Sequence, residues 1–318
     1  MLKLAVIGAG IMGERMLRAA REHAADLVEV TGVWDSAPEA LRRVEQAVPG
    51  LRSLGSFDEA VRAADCVYIA TPPASHLPYA EQALASGKAV FLEKPLAVDL
   101  PAAEAFTRRH MAGRVAVNFP FASSLAVERV ATWLREGAVG AAGAFAIEVG
   151  FAAWPRAWQR AAAGWLDAPA EGGFTREVVS HFLFLSRRLL GPVQVRRAQV
   201  EFTPGGTERK IEARLEAGGV SGRLHGAVGE TGREDTNAWT VTGVGAVRLR
   251  DWSVAERQRP DGSWVADPDA MPNEKARPLV LRRQLEQVAL LARGEPHRLA
   301  RLEEAFEVQA AVETILRA

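Results

Sequence analysis

Short apolar runs alternate with segments of helical period over the first third of the chain. The apolar runs read "LKLAVI", "VEVTGVW", "CVYIA" and "AVFL", and the helical segments lie at Ile11–Glu22, Pro38–Ala47 and Leu77–Ser86. Strands buried on both faces show as continuous apolar runs, and helices between them return the chain to the same edge of a sheet. The alternation therefore predicts a parallel sheet with helices on both faces.

The pattern changes in the second half of the chain. A helix capped by Asp99, a strand at 115–118 and a helix at 125–136 still alternate. From Ala144 onward, longer strand candidates follow one another and are joined by glycine-rich turns: "AFAIEVGF", "VQVRRAQVEF", "IEARLEAGG", "VSGRLHGAV", "AWTVTGV" and "AVRLRDWSV". Strands that follow strands predict an antiparallel sheet.

Helices interrupt and follow these strands. They are predicted at Arg176–Leu190, Pro278–Arg293 and Leu299–Arg317, and Gly191 and Pro192 end the first of them. The pattern as a whole predicts an α/β domain with a doubly wound parallel sheet at residues 1–120. An α+β domain with a largely antiparallel sheet follows at residues 121–318.

The composition excludes several classes of protein. Of 318 residues, 48% are hydrophobic and 25% are charged, which is typical of a globular chain. Lys plus Arg number 39 and Asp plus Glu also number 39, so no net charge attracts nucleic acid or an anionic membrane. The N-terminal apolar run is broken by glycines, and no run reaches the roughly 18 apolar residues of a membrane helix. We expect a cytoplasmic protein.

A glycine loop follows the first predicted strand and opens a helix. Its sequence "VIGAGIMG" places Gly8, Gly10 and Gly13 in the spacing G-x-G-x-x-G. The first glycine permits the tight turn, the second lets a pyrophosphate approach the backbone, and the third lets the helix pack against the sheet. The free N–H groups of the helix start, Ile11 and Met12 included, favour phosphate binding. The loop predicts a dinucleotide site.

An acidic residue in the expected position supports this interpretation. Asp35 follows the second predicted strand and lies 35 − 13 = 22 residues past Gly13, close to the roughly 20 expected for a residue that binds a ribose. Because a carboxylate there accepts hydrogen bonds from both hydroxyls and repels a 2′-phosphate, NAD is the predicted cofactor. NADP is the alternative, since Arg42 and Arg43 lie not far beyond; we interpret this pair as a solvated helix face.

Further motifs occur in the segment "IATPPASHLPYAEQALASGKAVFLEKPLA". Thr71, Pro72 and His76 follow one predicted strand, and the run Glu93-Lys94-Pro95 follows the next. Together with the glycine loop, these motifs resemble the glucose-fructose oxidoreductase, inositol dehydrogenase and MocA family, over the whole chain in layout. The resemblance implies a Rossmann domain that binds NAD(P), followed by a substrate-binding and oligomerisation domain.

The resemblance also assigns roles to single residues. It implies that Lys94 lies beside the nicotinamide and the reacting carbon, and that Thr71, Pro72, His76 and Glu93 line the cofactor. It further implies an Asp-x-x-x-His pattern on a helix of the second domain.

The segment "GGFTREVVSHF" matches that pattern in part. His181 matches the family histidine, but the acidic residue four positions earlier is Glu177. Residues four apart share a helix face, so Glu177 is placed to orient the imidazole. Val178, Phe182, Leu185 and Leu189 form a core stripe on the opposite face, so we expect His181 to point away from the core. The alternative for His181 is a structural histidine on a half-buried helix.

The candidate substrate residues lie in two separate segments of the chain. Asn118 ends a predicted strand where the family chain turns toward the active site, but "FPF" replaces the Tyr or Arg that usually follows. The segment before the histidine helix concentrates Trp154, Trp158, Arg156 and Arg176. Aromatic faces can cover a sugar ring, and Arg can pair with a carboxylate or phosphate. The alternative is a tryptophan-rich core with solvated arginines.

The predicted activity is hydride transfer between a nicotinamide and a hydroxyl or carbonyl carbon of a sugar, cyclitol or related small molecule. His181 is the predicted acid/base and Lys94 the predicted hydrogen-bond donor to the reacting oxygen, although these roles can be exchanged. Alternatives are a dihydrodiol or imine substrate, or a non-catalytic nucleotide-sensing regulator. We expect no metal, because Cys66 and the scattered histidines lack ligand spacing. We also expect a homo-oligomer, dimer or tetramer, through the antiparallel sheet.

Overall fold

A computed structural model describes residues 1–318, except for the side chain at position 161. The chain divides into two compact units. Unit 1 comprises Met1–Ser123 and Arg277–Phe306, and unit 2 comprises Ser124–Ala276 and Glu307–Ala318. The sequence predicted contiguous domains at 1–120 and 121–318, whereas the structure groups a late segment with the N-terminal residues. The reason is burial: Leu281, Leu285, Val288 and Leu291 belong to the hydrophobic core of unit 1.

The first part of unit 1 alternates strands and helices. In chain order its elements are β1 Leu2–Ile7, α1 Ile11–His23, β2 Val28–Trp34, α2 Pro38–Ala47, α3 Phe57–Ala63, β3 Cys66–Ile69, α4 His76–Ala85, β4 Ala89–Leu92, α5 Leu100–His110 and β5 Val115–Val117. The strands form a parallel five-stranded sheet in the order β2-β1-β3-β4-β5. As predicted, the Asp99 side chain caps α5, accepting a hydrogen bond of 2.7 Å from the backbone of Ala102. The predicted doubly wound sheet is confirmed.

The residues that follow neighbouring strands of this sheet lie side by side. The backbone N–H of Ala70 donates to Ile7 at 2.7 Å, that of Glu93 to Ile69 at 2.9 Å and that of Asn118 to Leu92 at 2.8 Å. The hydrogen-bond ladder thus continues past the ends of β3, β4 and β5. Open parallel sheets bind ligands at this carboxyl edge, so the fold brings the predicted cofactor motifs to one place.

Unit 2 is built on a largely antiparallel sheet. In chain order its elements are α6 Leu125–Arg135, β6 Ala144–Phe151, α7 Ala163–Leu166, α8 Ser180–Leu189, β7 Val193–Phe202, β8 Glu208–Ala217, β9 Val220–Val228, β10 Asp235–Thr242, β11 Ala246–Arg250, β12 Val254–Gln258 and β13 Trp264–Ala266. The strand order is β13-β12-β11-β10-β6-β9-β8-β7, and β6 and β9 pair in parallel. The chain ends in α9 Asn273–Arg293 and α10 Leu302–Leu316. The predicted α+β fold is confirmed.

The structure corrects two predicted elements of unit 2. The strand predicted over Ala246–Val254 is a hairpin, in which β11 ends at Arg250 and β12 begins at Val254. The helix predicted from Arg176 begins instead with a π-helical segment, Thr175–Val179, which continues directly into α8. The apolar pattern predicts neither deviation. The residues around the hairpin turn favour strands, and those around the π-helical segment favour helices, so the local sequence indicates regular elements in both places.

Helix α8 is held by its apolar face. Phe182 and Leu185 are fully buried, as the core stripe predicts. The indole N–H of Trp239, a fully buried residue of β10, donates a hydrogen bond of 2.8 Å to the Ser186 hydroxyl. These contacts fix the rotation of α8 and hence the direction of His181. Among the described residues, none of the helices has both the length and the apolar content needed to cross a membrane.

Candidate functional site

The glycine loop between β1 and α1 depends on two of its glycines for conformation and packing. Gly8 has a φ of +100°, in the left-handed region that favours glycine. A Cβ on Gly13 would lie 1.9 Å from the carbonyl oxygen of Gly8, a separation no structure tolerates. The tight turn and the close helix packing predicted from the sequence therefore both require glycine at these positions.

Gly10 is different, because a Cβ there would meet no heavy atom within 4 Å. Its φ of −78° and ψ of −170° are accessible to any residue, so neither strain nor packing demands glycine. It is the N-cap of α1, and no side chain caps the helix start. The N–H groups of Ile11, Met12 and Gly13 therefore have no partner within the helix. Open space beside these donors is the cradle that a pyrophosphate fills, so the loop fits a dinucleotide.

Asp35 follows β2 and is tied to the glycine loop. Its Oδ2 accepts a hydrogen bond of 2.7 Å from the Ala9 backbone, and its Oδ1 accepts one of 2.8 Å from Ala37. These bonds hold the carboxylate at the loop, where the ribose is expected. Arg43, an exposed residue of α2, donates a bond of 3.2 Å to the Ala9 carbonyl. The structure thus brings this arginine to the loop, whereas the sequence predicted a solvated helix face.

Thr71, Pro72 and His76 follow β3 at the same edge. The Thr71 hydroxyl accepts a bond of 2.8 Å from Ser75. His76 is 1% exposed, and its Nε2 and Nδ1 each lie 2.8 Å from a carbonyl oxygen, of Thr71 and Pro95 respectively. A carbonyl oxygen only accepts, so each of these hydrogen bonds needs a proton on the ring nitrogen that makes it. His76 links the loop after β3 to the turn after β4.

Glu93, the first residue after β4, lies in a buried polar network. Its carboxylate accepts a short hydrogen bond from the Tyr68 hydroxyl and one of 2.7 Å from the Asn118 amide. Gln284 of α9 in turn donates a bond of 2.6 Å to the Asn118 carbonyl oxygen. Burial, and next the negative charge of Glu93, raise the pKa of Tyr68 well above its usual value. The tyrosine therefore keeps its proton and donates it.

Lys94 is positioned by its neighbours on both sides. Glu93 is held by Tyr68 and Asn118, and the carbonyl of Pro95 is held by His76. The Lys94–Pro95 peptide bond is cis. The Lys94 side chain itself is half-buried. A lysine with a fixed backbone therefore lies at the same sheet edge as the glycine loop.

Unit 2 carries the predicted histidine. His181 lies in the first turn of α8 and is half-buried, and Glu177 lies in the π-helical segment just before it. π-Helical turns occur often at functional sites. The buried Glu208 carboxylate accepts a bond of 2.6 Å from the Thr175 backbone at the start of this segment. Burial raises the pKa of Glu208 above its usual value.

Two predicted substrate arginines make extensive contacts inside unit 2. The Arg176 guanidinium binds both carboxylate oxygens of Glu313, at 2.7 and 3.0 Å, and also two backbone carbonyls. Arg156 is buried, pairs with Asp235 at 2.9 Å and lies 4.7 Å from the Trp158 ring centre. These contacts favour structural roles for both arginines, which are not solvated.

The aromatic residues of this segment also differ in exposure. Trp154 is 5% exposed, and its indole N–H donates to the Leu166 carbonyl at 3.3 Å. Trp158 is 41% exposed. Asn118, the remaining predicted substrate residue, is 1% exposed and bound to Glu93 and Gln284. Of these candidates, Trp158 offers the most accessible face.

The sequence interpretation missed Tyr68, Gln284 and Trp252. Tyr68 lies in an apolar run, in which its hydroxyl group is the single feature that indicates a polar partner. Gln284 lies 166 residues from Asn118 in sequence, so no local pattern relates them. Trp252 lies inside the predicted strand that proved to be a hairpin.

Cysteine chemistry and metal-dependent chemistry have little support among the described residues. Burial raises the pKa of the Cys66 thiol to about 12, so this residue is an inert part of the core. Among the described residues, no group of three His, Cys, Asp or Glu side chains is arranged to hold a metal ion.

Comparisons with known proteins agree with the fold. Residues 2–117 match the model of the oxidoreductase family with the NAD-binding Rossmann fold, which confirms the predicted resemblance for the N-terminal domain. No curated protein matches the chain.

Similar solved structures span both units. They include a candidate myo-inositol dehydrogenase from Sinorhizobium meliloti, at 19% identity and a TM-score of 0.78, covering 100% of this chain and 97% of that one. GenD2 from gentamicin A biosynthesis, solved with NAD, has 20% identity and a TM-score of 0.80, with 99% and 93% covered. The 3-ketoreductase KijD10 from Actinomadura kijaniata, solved with NADP and TDP-benzene, has 20% identity and a TM-score of 0.79, with 99% and 96% covered.

Proposed function

Because residues 2–117 match the model of the oxidoreductase family with the NAD-binding Rossmann fold, we propose that the chain is an NAD(P)-dependent dehydrogenase or reductase. The observation that carries the proposal is the gathering of the glycine loop, Asp35, Thr71 and the Glu93-Lys94 pair at the carboxyl edge of one parallel sheet. A nicotinamide cofactor held at that edge would supply the acceptor or donor of the hydride.

The cofactor contacts follow from the geometry of unit 1. The open space at Gly10 and the uncapped start of α1 would take the pyrophosphate. Asp35, already directed at the loop, would accept hydrogen bonds from the ribose hydroxyls. NAD is therefore the proposed cofactor. Arg43 at the loop carbonyl keeps NADP as the alternative, because it could neutralise a 2′-phosphate.

Two residues carry the proposed proton chemistry. Oxidation of an alcohol removes a hydride from carbon and a proton from oxygen. Lys94 would hydrogen-bond that oxygen and steady its developing charge, and His181 would take the proton, with Glu177 orienting the imidazole. The reverse assignment of Lys94 and His181 remains part of the proposal, since a lysine in a desolvated site can also exchange protons.

The proposed substrate is a sugar, a cyclitol or a related polyhydroxylated molecule that presents a CH–OH or carbonyl group. The similar structures include a candidate inositol dehydrogenase and a ketoreductase solved with a TDP compound, which supports this class. The exposed ring of Trp158 is suited to cover such a molecule. Dihydrodiols and imines are the alternative substrates.

A homo-oligomer, dimer or tetramer, is also proposed. One side of the eight-stranded sheet of unit 2 carries solvent-accessible ion pairs. Examples are Arg223 with Glu148 at 2.9 Å and Arg196 with Glu216 at 3.0 Å. Because these pairs contain both charges, this side of the sheet is the proposed contact surface for a second copy of the chain. Gel filtration at low micromolar concentration tests this point, and a lone 34.3 kDa species contradicts it.

The function is tested by a screen of sugars, cyclitols and imines, each with NAD and with NADP, at the absorbance band of reduced nicotinamide. We expect turnover with at least one class. Tight cofactor binding, seen as quenching of tryptophan fluorescence, with no turnover across the screen would instead favour a nucleotide-sensing regulator.

The residue roles are tested with Lys94→Ala and His181→Ala at saturating cofactor. Each variant should lose at least about a hundredfold in kcat, as general acid/base catalysis predicts. Lys88→Ala, at a half-buried lysine just before β4, is the matched control. Full activity in both test variants would contradict the assignment.

A further inference from the structure

The hairpin between β11 and β12 turns on two residues of unusual conformation. Asp251 has a φ of +47° and Trp252 a φ of +69°. The Ser253 backbone N–H donates to the Arg250 carbonyl at 3.3 Å, which closes a four-residue turn. A four-residue turn whose two central residues both have positive φ is of type I′, which strongly prefers Asn-Gly or Asp-Gly at those positions. Trp252 thus stands where glycine is expected.

Hydrogen bonds from neighbouring residues hold this turn in place. Asn237 of β10 accepts hydrogen bonds from both turn residues: its backbone carbonyl from the Asp251 N–H at 3.0 Å, and its Oδ1 from the Trp252 N–H at 2.9 Å. The Asp251 carboxylate binds Arg250 at 2.7 Å and Arg233 at 3.2 Å. The left-handed conformation is therefore imposed by surrounding residues, which is how strained backbone persists at functional positions.

The Trp252 side chain reaches the predicted histidine. The Trp252 and His181 ring centres lie 5.7 Å apart with an interplanar angle of 79°, an edge-to-face arrangement. Trp252 also packs against Phe182, the next residue of α8, at 5.3 Å. Phe182 is fully buried, so the indole is fixed against a rigid part of the helix. Both Trp252 and His181 are themselves half-buried.

We propose that Trp252 is a positioning residue that sets the ring orientation of His181, and that the left-handed turn serves to present the indole to it. A glycine would satisfy the turn but could not touch the imidazole. The catalytic role of His181 in this inference rests on the proposed function. The contact between Trp252 and His181 lies within unit 2 and does not depend on that function. An imidazole held in one orientation exchanges a proton along one direction, which raises kcat rather than cofactor affinity.

Four variants separate the side chain from the turn. Trp252→Phe keeps an aromatic ring, Trp252→Ala removes the ring and keeps a strained residue, and Trp252→Gly removes the ring and relaxes the turn. Asp251→Asn, in the same turn, keeps a residue that tolerates the left-handed region and is the matched control. We expect the glycine variant to melt at a higher temperature than the alanine variant, because a positive φ strains alanine but not glycine.

The kinetic readout is kcat against cofactor KM. Trp252→Ala and Trp252→Gly should both lose about tenfold or more in kcat with unchanged cofactor KM, despite their different stabilities. Trp252→Phe should recover most of the loss, and Asp251→Asn should keep wild-type kcat. A kcat that follows melting temperature rather than the aromatic ring overturns the proposal, since that pattern indicates a structural role alone.

A second readout needs no activity. Proton–carbon correlation spectra resolve the ring resonances of the six histidines, and a His181→Gln spectrum identifies those of His181. In Trp252→Ala these resonances should shift, through loss of the indole ring current, and show faster ring motion. Unchanged His181 resonances overturn the proposal. If they change while no substrate turns over in the wild type, the contact stands and the proposed function fails.

Discussion

The side-chain amide of Asn118 donates a hydrogen bond of 2.7 Å to the carboxylate of Glu93, and both side chains are buried. This bond joins the ends of β4 and β5 directly before Lys94. Gln284 completes the arrangement from α9 by donating to Asn118 at 2.6 Å. The turn that carries Lys94 is therefore supported from a helix that lies far away in sequence.

Replacing Asn118 should destabilise the protein in a graded order. Asn118→Ala removes one donor to the buried Glu93 carboxylate and should cost about 1–3 kcal/mol in the free energy of unfolding. Asn118→Asp should cost more, because it places a second carboxylate against the first. Urea unfolding followed by circular dichroism measures both. Equal stability of Asn118→Asp and wild type would show that the network contributes nothing.

Asp35 should determine the preference between the two cofactors. Asp35→Ala removes the acceptor for the ribose hydroxyls and the charge that repels a 2′-phosphate, so the Kd for NAD should rise about tenfold, or about 1.4 kcal/mol. The Kd for NADP should change less or fall. Calorimetric titration of both nucleotides measures this, with Asp58→Ala, at an exposed aspartate of α3, as control. Parallel losses for both nucleotides would argue against the assigned contact.

Whether a feature of the fold or of the site could be predicted from the sequence depends on how far apart the interacting residues lie along the chain. The glycine spacing, Asp35 and the strands such as Ala144–Phe151 follow from local patterns, and the structure reproduces them. The Asn118–Gln284 bond spans 166 residues and could not be predicted from spacing.

The hairpin at Asp251–Trp252 was missed for a different reason. Tryptophan has high strand propensity and disfavours a positive φ, so the local pattern argued for a continuous strand. Asn237, from another strand, overrides that preference through two hydrogen bonds. The arginines of the substrate segment were predicted as substrate contacts, with solvated side chains as the alternative. Neither interpretation could include Glu313 and Asp235, which reach these arginines from distant parts of the chain.

Glu208 should make the stability of the protein depend on pH. Burial raises its pKa above the usual 4.5, so the folded state favours the protonated form. Its contribution is fully present below pH 4.5 and is lost as the pH rises through the folded-state pKa. Glu208→Gln should therefore lose less stability than wild type between acidic and neutral pH, as urea midpoints at several pH values would reveal. Glu212→Gln, at an exposed position of β8, should follow wild type. Identical pH profiles for Glu208→Gln and wild type would contradict the raised pKa.

The most direct test of the central claim is the affinity of Gly10→Ala for NAD and NADP, measured by calorimetric titration beside wild type and Gly13→Ala. Gly13→Ala should fold poorly, because its Cβ would lie 1.9 Å from the Gly8 carbonyl oxygen. Gly10→Ala meets no atom within 4 Å and should keep the wild-type melting temperature, yet its methyl group occupies the proposed pyrophosphate cradle. We predict that wild type binds one of the nucleotides and that Gly10→Ala binds it at least about tenfold more weakly. A folded Gly10→Ala variant that binds as tightly as wild type, or a wild type that binds neither nucleotide, would contradict the account.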